Sequence, residues 1–349
     1  MISDIKAKKQ KYSYNGAVHI HSSCSDGTGD IELISKSAKS AGLSWIIITD
    51  HNNFELEEGI INDITVIKGE EISSESQNHY LALGIKECIN PSDDIKKSID
   101  TVKSQNGFGF AAHPDESDNR PNNYKSIKWS DKNIIPDGIE IWNWFSQWAD
   151  NYNSKNILTV AHSFFLKNRL VTLPIRETLN WWDKLNNEKE QIVPAIGGID
   201  AHALKNNSYI IPVTVFPYEF LFKTITNQIF LDEPLNDDFH ARKEQILNAL
   251  KLGKNLIFNR QTGNKPPEFY VTTNTEYGQS GDLVNLDFNT YLHFNCHKKA
   301  QIKIFRNGSE FAEFHTDKTT LKITEYGKYR LEAEINGFGY AYSNPITVK

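Results

Sequence analysis

Histidines and carboxylates recur in this chain at the ends of short apolar runs, at spacings that suit metal ions. The stretch AVHIHSSCSDG, residues 17–27, carries His19 and His21 two residues apart, with Asp26 five residues after the second. In a strand, residues i and i+2 point to one face, so the two imidazoles project together. GGIDAHA repeats the arrangement with Asp200 and His202. His51 closes the run WIIITDH, Glu71 lies in IKGEEIS, His79 opens HYLALG, and His113 ends FGFAAHP. Mixed imidazole and carboxylate donors suit zinc, manganese or iron. Any one of these residues alone is more often a hydrogen-bonded core or surface group. With 11 histidines in the chain, chance proximity is easy. The ordered set HxH, Asp, DH, GxE, H, HP and DxH is what argues for a metal centre.

The elements that must carry these residues alternate. GAVHIH reads as a strand, and GDIELISKSAKSAG has apolar residues near helical spacing with Gly42 as a stop. LSWIIITDHN is the next strand, its unbroken apolar run fitting burial on both faces, as in a parallel sheet. ITVIKGEEIS, HYLALGI, FGFAAHP, DGIEIWNW and IVPAIGGIDAHA follow as strands, with DDIKKSIDTVKSQNG a helix ending at Gly107. This alternation predicts a parallel α/β architecture, a barrel or a doubly wound sheet, with its titratable residues at the C-terminal strand ends. Beyond NRQTGNKPPEF the segments become short and alternating, separated by turns such as RNG and EYG. They predict an antiparallel β-sandwich of about 80 residues. The boundary is set near Lys265, giving a barrel over 1–264 and an accessory domain over 265–349.

The 349 residues carry a net charge of −6 and no long basic block, which argues against a grip on long nucleic acid and leaves room for a local basic pocket. Cys24, Cys88 and Cys296 are few and far apart, suggesting neither a disulfide framework nor a thiolate zinc site. No apolar run approaches the ~20 residues of a membrane span, and the first residues lack an apolar leader core, so a cytoplasmic location is expected.

In their order, HIHSSCSDG, ITDHN, KGEEIS, NHYLALGI, AAHPDE and GGIDAHA resemble the motifs of the polymerase and histidinol phosphatase (PHP) superfamily of metal-dependent phosphoesterases, over about residues 14–265. The resemblance implies a distorted (β/α)7 barrel with two or three divalent metals, manganese, zinc or iron, at the strand ends. It implies that His19, His21, Glu71 and Asp200 hold one metal. Glu71 would bridge to a second held by His79 and His113, and Asp26, His51 and His202 would form a third site. Asp26 stands where some members have histidine. His19, His21, Glu71, His113 and Asp200 are then the expected catalytic set. GEE offers two glutamates; spacing from Gly69 favours Glu71, with Glu70 the fallback. Two metals about 3.5–4 Å apart can share a hydroxide and clamp a phosphoryl group during in-line displacement.

Other residues carry weaker signals. Asp50 alternates away from His51 and is expected to be structural or to act through its neighbours. His162 lies in a stretch expected to be helical, outside any motif. Arg120 and Lys125, in the polar loop after His113, are candidate phosphate contacts, or solvated loop charges. Trp142, Trp144 and Trp148 divide between core and pocket wall, with Trp142 a candidate to stack on a base. Glu140 and Asn143 sit near an expected strand end, as pocket or as structure. The closing segment ending in SNPI is similar to the β-domain of the carbaryl-hydrolase-like branch of PHP proteins. That likeness implies that a carboxyl ester, carbamate or amide is an alternative to a small phosphomonoester or nucleotide. A non-catalytic metal-binding scaffold is a third reading. The expected partner is a small, phosphorylated molecule; no long nucleic acid or membrane partner is expected, and oligomeric state has no signature in the sequence.

Overall fold

The computed structural model describes residues 12–75, 77–118, 120, 125–152, 170–206 and 213–349. Strands β1 (Tyr12–Ile20), β2 (Trp45–His51), β4 (Ile64–Ile72), β5 (Tyr80–Leu83), β6 (Phe108–Ala111), β7 (Gly138–Asn143) and β8 (Ala195–Ala201) close a barrel, with β3 (Gly59–Ile61) a short hairpin partner of β4. The apolar runs seen in the sequence are the barrel staves: β2 is buried from Trp45 to Asp50, and β5 through β8 are buried throughout. Helix α1 (Ile31–Ser40) starts where Asp30 accepts the Leu33 N–H and packs Ile34 and Ala38 inward. It stops at Gly42, whose φ of 70° suits a residue without Cβ. Helix α2 (Ile95–Ser104) is capped by Asp94 in the same way and buries Ile95, Ile99 and Val102.

The barrel is not the all-parallel one that the sequence predicts. The pairs β1–β2, β1–β8, β2–β4 and β6–β7 are parallel, but β4–β5 and β5–β6 are antiparallel. Only a short loop joins β4 to β5, and without a crossover the chain must turn straight back. The reversal has a functional consequence. Tyr80 pairs with Ile72, so the start of β5 lies at the rim where β4 ends. His79, just before β5, thereby reaches the same rim as Glu71.

Beyond β8 come a small ribbon of β9 (Lys205–Asn206) with β10 (Val213–Thr214), and helix α5 (Tyr218–Leu221). Helix α3 (Trp144–Asn151) follows β7, and α4 (Arg176–Glu188) precedes β8. His162 lies outside the described residues. Among the described residues no helix is long and apolar enough to cross a membrane.

The chain divides into two compact units. The barrel unit comprises Asn15–Thr178 and Ile196–Thr226; the other comprises Leu179–Ala195 and Asn227–Lys349 with the first residues of β1. Lys265 therefore lies inside the second unit. That unit takes in β11 (Ile225–Leu231) nearly whole, α6 (Phe239–Lys251) and β12 (Asn255–Asn259), then β13 (Glu268–Thr272), β14 (Tyr277–Gly278), β15 (Leu283–Val284), β16 (Tyr291–Arg306), β17 (Ser309–Lys322), β18 (Gly327–Ile335), β19 (Phe338–Ser343) and β20 (Ile346–Val348). β12 pairs antiparallel with β19, which is why the unit begins before the expected boundary. Most pairings in it are antiparallel, β13–β16, β16–β17, β16–β18 and β18–β19 among them, and the β15–β20 pair is parallel. Phe294, Ile302, Ile304, Leu331 and Tyr340 belong to its apolar core.

Asn344, from the SNPI segment, is fully buried here. Its carboxamide oxygen accepts the Ala195 N–H at 2.7 Å, and its nitrogen donates to the Ala195 carbonyl at 2.9 Å and to Asn255 Oδ1 at 3.0 Å. Asn344→Ala takes the partner from the Ala195 N–H and from Asn255 Oδ1, at about 1–3 kcal/mol for each orphan, while the Ala195 carbonyl keeps the Asn255 amide at 3.1 Å. A lower urea midpoint is expected; an unchanged midpoint would show that the carboxamide has no such role.

Candidate metal centre

The nine motif residues meet at one rim of the barrel, and the backbone is bent to bring them there. His19 is near the end of β1 with φ of 67°, Asp200 near the end of β8 with φ of 52°, and His113 follows β6 with φ of 28°. All three are buried. A left-handed conformation in non-glycine residues is uncommon, and such strain gathers at functional sites. At His19 it coincides with a shift of β1–β8 register between Val18 and Ile20. The loop after His21 is pinned from outside. Asp50 accepts the Ser22 N–H at 2.7 Å and the hydroxyls of Ser22 and Ser25, both at 2.6 Å. Tyr218 donates its hydroxyl to the His21 carbonyl at 2.7 Å and accepts the Gly29 N–H at 3.1 Å.

Glu71 is the hub. Its Oε2 lies 3.1 Å from His19 Nε2, 3.3 Å from His21 Nε2 and 3.1 Å from His51 Nδ1. Its Oε1 lies 2.8 Å from His79 Nδ1 and 3.2 Å from His113 Nε2. Asp200 Oδ1 sits 3.6 Å from His19 Nε2, 3.3 Å from His21 Nε2 and 3.4 Å from His202 Nδ1. Asp26 closes the outer edge, 3.2 Å from His202 Nε2 and 3.6 Å from His21 Nδ1. Four overlapping donor groups result: His21, Asp26, His51 and His202; His19, His113 and Asp200; His19, His21 and Glu71; His51, Glu71 and His79. Within each, the donor atoms lie within 4.8 Å of one another. The first contains the whole expected third site with His21 added. His113 falls in the group with His19 and Asp200, and it also shares Glu71 Oε1 with His79.

The electrostatics fit cations. Burial would raise the carboxyl of Glu71, but His19, His51 and His79 hold it well below the usual range. Burial likewise opposes ionisation of Asp200, and His19 leads the imidazoles that hold it low. Asp26, against its own desolvation, is drawn down to about 2, chiefly by His202. Burial disfavours charge on His19, yet Glu140, Glu71 and Asp200 raise it well above its ordinary value. The same contest raises His113 to about 9 through Glu116 and His202 to about 9 through Asp26. His21, desolvated and facing His202 and His51, falls to about 4. Protons thus stand where cations would. Both ring nitrogens of His21 and Nδ1 of His113 are buried without a hydrogen bond of good geometry. Such orphans are rare, and a cation bound by imidazole lone pairs removes the penalty. The residues present therefore fit divalent metals.

Other residues named from the sequence fall elsewhere. Glu70 points away from Glu71, its carboxylate accepting the Ile89 N–H at 2.9 Å. Arg120 is not a free cation for phosphate. Its side chain is 6% exposed, with Nη1 2.7 Å from Glu116 and Nε bonded to Asp150. Two buried carboxylates flanking one guanidinium account for the difference. Lys125 is exposed, and no described contact ties its side chain to the rim. Trp142 is 1% exposed and donates its indole N–H to Gln147 at 2.9 Å, so its ring is core and not a stacking surface. Trp144 is also buried in full. Phe145, between them and Trp148, is the aromatic that approaches the centre, 5.6 Å from the His202 ring.

Two glutamates extend the site outward. Glu140 Oε1 accepts from His19 Nδ1 at 2.8 Å. Glu116 Oε1 lies 3.3 Å from His113 Nδ1 and also accepts the Ser146 hydroxyl. Glu116 went unnoticed in sequence because it follows HPD in a polar loop. A cavity of about 20 Å³, roughly one water, lies beside them, lined among others by His113, Glu116 and Glu140.

Residues 17–209 match the model of the PHP domain family. No curated protein matches the chain at a significant level. Among solved structures, one similar to it is a two-domain protein from Bacteroides vulgatus containing a predicted PHP-like metal-dependent phosphoesterase. It is 16% identical, with 96% of this chain and 95% of that chain covered and a TM-score of 0.47. PsfC from Pseudomonas syringae is 11% identical over 67% of this chain and 88% of that chain, with a TM-score of 0.37.

Proposed function

The chain belongs to the PHP family, and from that membership and its nine-donor rim we propose a metal-dependent hydrolase acting on a small phosphoester, a phosphomonoester or nucleotide. The observation that carries the reading is Glu71. One fully buried carboxylate has five imidazoles within 3.3 Å, two on one oxygen and three on the other. Such a carboxylate is disposed to bridge two cations. His19, His21, Glu71 and Asp200 would hold one, and His79 and His113 join Glu71 at the next. Asp26, His51 and His202 offer a third place, open to solvent at Asp26. Bound divalent cations would supply Lewis acidity toward the phosphoryl oxygens and toward an attacking water.

The chain's own residues do the positioning. The bent backbone at His19, His113 and Asp200 aims their side chains into the rim. Asp50 and Tyr218 hold the loop that carries Asp26. Burial of His19, His21, Glu71 and His113 strips competing water from the donors.

The test is phosphate release from a panel of nucleotides and sugar phosphates with Mn²⁺ or Zn²⁺, with and without chelator. Turnover abolished by chelator and restored by metal is expected. Metal-loaded, folded protein that releases no phosphate but cleaves a carboxyl ester or carbamate would replace this substrate class with the alternative. Tight metal binding with no turnover of either class would favour a non-catalytic centre.

A further inference from the structure

We infer that Glu140 is a positioning residue that holds two metal-ligand segments at once, through the His19 ring and the His113 backbone; the inference rests on the metal-centre reading above. Glu140 is 1% exposed, in the middle of the fully buried strand β7. Its Oε1 takes the Nδ1–H of His19 at 2.8 Å. Its Oε2 takes the backbone N–H of His113 at 2.7 Å and one amide hydrogen of Asn143 at 3.0 Å. A carboxylate only accepts, so this contact fixes His19 with its proton on Nδ1 and its Nε2 lone pair turned to Glu71 and Asp200. The same side chain restrains the strained peptide at His113, where φ is 28°.

The site is built around this carboxylate. Asn143 caps helix α3, its Oδ1 accepting the Ser146 N–H at 2.8 Å, and that bond fixes which end of the amide faces Glu140. A Cβ placed on Gly198 would stand 1.6 Å from Glu140 Oε1. Only glycine leaves room for the carboxylate, and Gly198 is on β8, the strand that carries Asp200. Strands β1 and β7 and the segment after β6 are thus hydrogen-bonded to one acidic group, and β8 packs closely against it at Gly198. Oε1 faces the Nδ1 side of His19, away from the donor cluster, so Glu140 acts through its neighbours and not as a ligand.

Glu140→Gln tests this, because a carboxamide has one acceptor oxygen where the carboxylate presents two. Zinc affinity is measured by competition with a chelator, on protein shown to be folded without metal by circular dichroism. A fall of about 10- to 100-fold is expected. Wild type that takes up no zinc overturns the metal-centre reading itself. Wild type and variant with equal zinc affinity overturn only the role of Glu140. A second measurement needs no variant. In the zinc-loaded wild type, long-range ¹H–¹⁵N spectra should place the His19 proton on Nδ1, and a proton on Nε2 refutes the inference even if Glu140→Gln fails to fold.

Discussion

Glu71→Gln should abolish metal binding and turnover together. In the structure both carboxylate oxygens are engaged, Oε1 by His79 and His113 and Oε2 by His19, His21 and His51. A glutamine keeps the volume but turns one oxygen into an N–H₂, which repels a cation and cannot accept from imidazolium. Loss of an outer partner such as Glu140 is expected to lower affinity about 10- to 100-fold. Loss of the hub should exceed that. If the metals supply several kcal/mol of charge stabilisation, turnover should fall about 10³-fold or more. Metal content by elemental analysis and phosphate release with excess Mn²⁺ check both halves. A variant that retains full metal stoichiometry would mean Glu71 is not the bridge. Glu70→Gln is the control: its carboxylate faces Ile89 and Cys88, so metal content should stay at the wild-type level.

These two glutamates show how far the sequence could be read. Adjacent residues of a strand face opposite sides, so one of Glu70 and Glu71 had to point at the rim, and spacing from Gly69 chose Glu71. The same pleat argument placed His19 and His21 on one face. They do converge, but by another route: β1 ends at Ile20, and His19 is in the left-handed region. Period-two alternation registers the types and spacing of donors, not a local bend. The strand direction at β5 was missed for a related reason. HYLALG reads the same in either direction, and only its pairing with β4 shows that His79 opens the strand at the rim. Arg120 was read from its charge alone, whereas Glu116 and Asp150, 4 residues before and 30 after it, claim its guanidinium. Gly198 was invisible as a determinant, since its value lies in what a Cβ would strike. Glu140 did leave a trace, a charged residue within the apolar run GIEIW, but Glu70 leaves the same trace and has a different role.

Metal uptake should become steadily tighter from acid to about pH 9, well beyond the range of an ordinary histidine site. Without metal, Glu116 and Asp26 outweigh burial and raise His113 and His202 to about 9, and Glu140, Glu71 and Asp200 likewise hold His19 well above its ordinary value. At pH 7 these imidazoles are therefore protonated, and a cation must displace their protons. The slope of log affinity against pH equals the number of protons released. An ordinary histidine, titrating near 6.5, would leave the affinity level above about pH 7.5. The same shifts give the metal-free protein an opposite stability profile. A histidine raised in the folded state stabilises it fully below its unfolded value of 6.5 and loses that contribution as pH climbs to about 9. Asp26, drawn down to about 2, stabilises above its unfolded value of 3.8 and loses that contribution as pH falls toward 2. The contributions of His113, His202 and Asp26 are therefore all present together between about pH 4 and 6.5. Metal-loaded protein should gain on the metal-free protein throughout the rise to pH 9, because tighter binding to the folded state adds directly to its stability. Calorimetric zinc titrations in buffers of different ionisation enthalpy count the protons, and melting curves with and without metal follow the divergence. Zinc binding that releases no protons at pH 7 would show that the rim imidazoles are already neutral, contrary to the charge arrangement around Glu71 and Asp200.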